Sequence, residues 1–292
     1  MRFKDITAVV VLLIVLASCS SPKALVVSDK QTAETATAEG NYSAAVGAWK
    51  QYFQKMPIEE VAGSDFASAA KVAYKSGNSD QALSWFNEAR YKNYSDFEMY
   101  QNLAEMAQKQ SNISKELTAL EFIKVNFSEQ SNKIDTRLFE IYAEIKETEK
   151  ALQIWNDLDQ AEKGKENNLL LYFGLKKSLN DTVVCDSVSE ELLKINPTQE
   201  DALEWNASKY YWGGENRYQN AMEEYNKNKT NAQYRILLKE LDTSTADFKK
   251  ALTYLEKLWK IEPGKKYAGY FANIYARFGD EEKAKSYQKY LQ

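Results

Sequence analysis

The chain has 292 residues, a net charge of −4 and 44% hydrophobic residues. That length can bury a large core, and the mild acidity argues against a nucleic-acid binder, which carries a clustered basic face. Histidine is absent, which excludes His-dependent triads, His general bases and His metal ligands.

The first expected element is a leader. Arg2 and Lys4 precede an apolar run from Ile6 to Ala17. A run of about twelve suits a signal-peptide core of about 7–15 residues and falls short of the roughly twenty that a membrane span needs. Leu16, Ala17 and Ser18 stand just before Cys19. This arrangement resembles the bacterial lipobox; the other reading is an ordinary leader with a chance cysteine. The resemblance implies that residues 1–18 are removed as a lipoprotein signal peptide. It also implies that Cys19 carries diacylglycerol on its sulfur and usually an acyl group on its new amino end. Several chains make a durable anchor where one is reversible. Residues 19–27 are then a lipidated tether carrying Pro22. Ser20 is not the Asp that tends to hold such lipoproteins in the inner membrane, and "SSPKAL" is not an acidic surface-export run. The expected location is therefore the outer membrane, facing the periplasm.

Residues 28–292 read as a helical repeat. "EGNYSAAVGAW", "SGNSDQALSWFNEA" and "FGDEEKAKSYQKYL" each place a turn glycine five residues before an alanine. Weaker copies continue the series of small anchors: Ala45, Ala82, Ala119, Ala151, Cys185, Ala221, Ala251 and Ala284. From Ala45 to Ala284 is 239 residues over seven steps, about 34 each, which is the tetratricopeptide period. A small residue in a second helix lets the first helix approach closely, and a proline after the second helix stops it. Pro57, Pro197 and Pro263 each fall twelve residues after an anchor, at Ala45, Cys185 and Ala251.

The chain thus resembles the tetratricopeptide-repeat family, most closely over Gly63–Ala89 and Tyr267–Leu291. The resemblance implies an all-α, right-handed α-solenoid of about eight helical hairpins, each touching its neighbours, with the first helices lining a concave groove. Gly40, Gly77, Gly214 and Gly279 are expected in hairpin turns. The third unit is expected to have a longer turn at "QKQSNISKE", the sixth an insertion near "WGGENRY", and the seventh a polar turn at "LDTSTAD".

Little in the sequence carries catalysis. "GG" occurs once, in "YWGGEN", without the Lys-Ser or Lys-Thr of a phosphate loop. Cys185 occupies a small-residue packing slot and reads as a buried structural thiol. The carboxylates fall mostly on solvated helix faces. The reading is a non-enzyme with no cofactor and no metal.

The best binding candidates are aromatic and cationic. In "WNASKYYWGGENRY" the register turns Tyr210 to the packing side and sets Tyr211 and Trp212 where the groove should run. Exposed Tyr and Trp are good anchors for a peptide or a sugar ring; the same rings would also serve to pack the inserted turn. Lys71, Tyr74, Lys75, Asn273 and Arg277 face the groove in the same register. The expected function is a lipid-anchored scaffold that docks a segment of an envelope protein in its groove. The alternative is a helical-repeat lipoprotein that captures glycans, which would want Tyr211, Trp212 and a third ring coplanar on an open surface.

Overall fold

The computed structural model describes residues 22–292, and side chains from Ser28 onward. The signal peptide expected over 1–18 and the lipidation expected at Cys19 lie outside the described residues. The described residues fall into two compact units, the first ending at Ser131 and the second spanning Asn132–Gln292. Among the described residues both are built of helices with no strand.

The first unit holds three hairpins. They pair α1 (Pro22–Ala38) with α2 (Tyr42–Lys55), α3 (Gly63–Lys75) with α4 (Ser79–Tyr91), and α5 (Phe97–Lys109) with α6 (Ile113–Asn126). Helix α1 begins at Pro22, inside the segment expected as tether; proline suits a first helical position because its missing N–H would be unpaired there anyway.

The second unit pairs α7 (Asn132–Glu144) with α8 (Thr148–Asp157) and, after the short α9 (Gln160–Lys163), α10 (Glu166–Ser178) with α11 (Thr182–Ile195). Two long helices follow, α12 (Glu200–Lys227) and α13 (Asn231–Ile261), and then α14 (Lys265–Arg277) pairs with α15 (Glu281–Gln288). The described residues therefore form seven hairpins, and the units expected as sixth and seventh are one long pair. Gly214 is not in a turn, "WGGENRY" is not an insertion and "LDTSTAD" is not a turn; all three lie inside helices.

The repeat spacing nonetheless holds. All eight anchors, from Ala45 to Ala284, are buried. Pro57, Pro197 and Pro263 fall just after α2, α11 and α13, as helix stops.

One turn chemistry recurs. Every hairpin connection is three residues long, so the expected longer third turn is not there. In six of them the middle residue is left-handed: Gly40, Gly77 and Gly279 at φ 75°, 84° and 77°, and Ser111, Lys146 and Asn180 at 53°, 62° and 55°. In five of these six the next residue then caps the second helix; Glu147, after Lys146, does not. Asn41, Asn78, Asn112, Asp181 and Asp280 each accept the backbone N–H three residues on. A short polar oxygen there satisfies a helix donor that has no partner within the helix.

Candidate functional site

In the first unit the expected groove residues face a neighbour inside the chain. Lys71 Nζ on α3 lies 2.8 Å from Asp96 Oδ2 and 3.2 Å from Glu98 Oε2. Lys75 Nζ lies 3.3 Å from Glu98 Oε1. The Tyr74 hydroxyl donates to Glu105 Oε2 at 3.0 Å and accepts from Lys109 Nζ at 2.8 Å. Asp96 also caps α5 by accepting from the Met99 N–H at 2.8 Å, and the Tyr94 hydroxyl donates to it at 2.9 Å. Burial pushes the Asp96 carboxyl up, but Lys71, the Met99 amide and Tyr94 together hold it below its ordinary value. Glu98 is held low in the same way, with Lys71 and Lys75 outweighing burial.

Lys71, Lys75 and Glu98 border a cleft of about 300 Å³. Its wall takes Glu34 and Thr37 from α1, Trp49 from α2, Ser68, Lys71, Val72 and Lys75 from α3, and Glu98 from α5. Residues from three consecutive first helices thus share one open surface. Its lysines are already matched by carboxylates, so the cleft presents mixed charge and not a basic field.

A denser network joins α12 to α14 in the second unit. Arg277 Nη2 and Nε donate to the two oxygens of Glu215 at 2.5 and 3.1 Å, and Gln219 Nε2 donates to Glu215 Oε1 at 2.7 Å. Asn273 Nδ2 donates to the Tyr211 hydroxyl at 2.5 Å and to Glu215 Oε2 at 3.3 Å. The Arg277 guanidinium also lies over the Tyr218 ring, 4.0 Å from its centre. Burial pushes Glu215 up, yet Arg277, Gln219 and Asn273 bring it below the ordinary range.

The expectation for Tyr211 is corrected here. It is 7% exposed and packs edge-on against Tyr270 at 4.6 Å, as part of the core between α12, α13 and α14. Tyr210 packs against the same core, its ring parallel to that of Tyr254. Trp212 is 51% exposed. The Tyr211 and Trp212 rings stand at 81° to each other, so no flat ring platform forms there. Asn273 and Arg277 are turned inward to Tyr211 and Glu215.

Sequence reasoning missed the acidic halves of both networks: Asp96, Glu98, Glu105 and Glu215. The available signal was spacing, since Lys71 and Tyr74 meet carboxylates 25 to 31 residues on, close to one repeat. Cys185 is fully buried, and burial pushes its thiol up, away from the thiolate a nucleophile needs. Among the described residues no cluster of Cys, Asp and Glu is placed to hold a metal ion, and no helix is long and apolar enough to cross a membrane.

No family model and no curated protein matches the sequence. Solved structures do resemble it. A candidate protein-binding protein of Bacteroides ovatus is 17% identical with a TM-score of 0.49, covering 75% of this chain and 100% of its own. A tetratricopeptide repeat protein of Parabacteroides merdae is 12% identical with a TM-score of 0.45, covering 91% and 93%. The C-terminal part of a TPR repeat-containing protein of Cytophaga hutchinsonii is 12% identical with a TM-score of 0.42, covering 90% and 93%. At these values no partner or activity transfers to this chain, and the all-α hairpin architecture rests on its own helix pairing.

Proposed function

We propose that this chain is a protein-docking scaffold of the bacterial cell envelope, held at the outer membrane through Cys19 and facing the periplasm. The observation that carries the docking reading is the cleft that α1, α3 and α5 share. It is open, of mixed polarity, and its charged walls are held by ion pairs between hairpins. Such a surface is pre-organised, so a bound segment costs little further ordering of the protein. The mixed charge suits a segment of mixed polarity better than a strongly acidic tail. The anchor reading rests on the leader, on the residues before Cys19 and on the acyl arithmetic of several chains.

The test is co-purification after crosslinking in intact cells, comparing the native chain with Ser68→Trp. Ser68 is exposed in the cleft wall and makes no ion pair, so the indole fills the cleft without breaking the network. A partner captured by the native chain and lost in Ser68→Trp is the expected result; equal capture by both overturns the cleft as docking site. Palmitate labelling and fractionation of Cys19→Ser tests the anchor separately, with loss of label and release from the membrane fraction expected.

A further inference from the structure

A second cleft, of about 260 Å³, opens between α4, α5 and α6 and shares no residue with the first-helix cleft. Its floor is apolar, with Leu83 from α4, Leu103 and Met106 from α5 and Ala119 from α6. Tyr100 forms one wall and is held in place by Phe122, with which it stacks at 3.8 Å and 7°. Its rim carries two cations, Arg90 on α4 and Lys115 on α6.

The charge pattern is the informative part. The protein is acidic overall, yet no carboxylate lines this cleft. Lys71 and Lys75 in the first-helix cleft each have a carboxylate within 3.3 Å. Arg90 and Lys115 are exposed, and among the described residues neither forms an ion pair. Tyr91, one turn past Asn87 on the same edge of α4, is 81% exposed. An apolar floor under two unmatched cations is complementary to an apolar group flanked by negative charge, and guanidinium gives a carboxylate two parallel hydrogen bonds.

We propose that this cleft is a second docking site, for a partner-protein segment that inserts one large apolar side chain between flanking Asp or Glu residues. The volume suits a single Leu, Phe or Met, and Met106 adapts its shape to the choice. The proposal shares with the preceding section only the premise that the ligand is a protein segment, and either cleft can fail alone.

The test is selection from a displayed library of peptides with seven randomised central positions, on four proteins: native, Arg90→Glu/Lys115→Glu, Thr118→Trp and Ser68→Trp. Arg90, Lys115 and Thr118 are exposed, so these variants keep the core, and circular dichroism melts confirm folding. The expected result is enrichment of Leu, Phe or Met beside Asp or Glu on the native and Ser68→Trp proteins. A synthetic copy of the selected peptide should then bind about tenfold or more weakly to Arg90→Glu/Lys115→Glu and lose binding to Thr118→Trp. No enrichment on the native protein overturns the proposal. So does enrichment that the charge-reversed protein retains, and enrichment that Ser68→Trp abolishes assigns the peptides to the first-helix cleft instead.

Discussion

Arg277 of α14 grips Glu215 of α12 with two hydrogen bonds, and with the Lys266–Glu204 pair it ties the last hairpin to the long one. The Glu215 side chain is 12% exposed and that of Arg277 24%, which shields the pair from solvent and salt. Removing one partner strands the other charge in a largely buried place. Arg277→Ala should therefore cost about 2–3 kcal/mol, read by urea denaturation, with faster amide exchange in α14 placing the loss. Arg277→Lys should recover only part, because an ammonium cannot make both bonds in one plane.

The same carboxylates set the acid response. Asp96 and Glu215 both sit below their ordinary values in the folded protein. The unfolded chain therefore takes up protons first as pH falls. The stability these groups contribute is fully present above the ordinary carboxylate range and is lost as pH drops through it toward their lower folded values. Melting temperatures should fall between about pH 5 and pH 3. Glu215→Gln should start lower at neutral pH and decline less steeply.

Three hairpin turns hold a non-glycine residue where glycine is the easy choice. A left-handed conformation costs an L-residue about 1–2 kcal/mol, less for Asn. Ser111→Gly and Lys146→Gly should each raise stability by about 1 kcal/mol, and Asn180→Gly by less. Thermal melts of the three variants check the order.

Two other glycines should respond oppositely to alanine. A Cβ on Gly63, at the start of α3, would lie 2.6 Å from Tyr94 Cβ and 3.0 Å from Lys92 Cβ. Gly63→Ala should cost about 1–3 kcal/mol. A Cβ on Gly213, inside α12, meets only the Asp247 carboxylate at 3.8 Å, an ordinary contact. Gly213→Ala should stabilise by about 0.5–1 kcal/mol through helix propensity. Chemical denaturation of both reads the sign.

Much of the fold was legible because small residues and prolines act locally. A small residue at each close approach and a proline after some helices leave a periodic mark, and every anchor from Ala45 to Ala284 is buried. The fusion of the sixth and seventh units was not legible. Gly213 and Gly214 look like a break, but tertiary packing keeps α12 helical: Gly214 lets α13 pass close, and Ser244 Oγ donates to its carbonyl at 2.8 Å. Tyr211 was misplaced because neighbouring residues on a helix differ by about 100° in direction, and the register there had been set by a turn that does not exist. In the candidate site, Lys71 and Lys75 stand in the cleft wall, and Tyr74 on the same helix bonds to Glu105. Their carboxylate partners sit on the next hairpin, and nothing in a single-helix pattern shows a neighbour that arrives through packing.

The most direct test of docking at the first-helix cleft is site-specific photocrosslinking in intact cells, with the photoreactive group at Ser68 in the cleft wall or at Val183, exposed on α11 and outside both clefts. One discrete adduct from position 68 and none from position 183 is the expected result. No adduct from 68, or the same adducts from both, would contradict it.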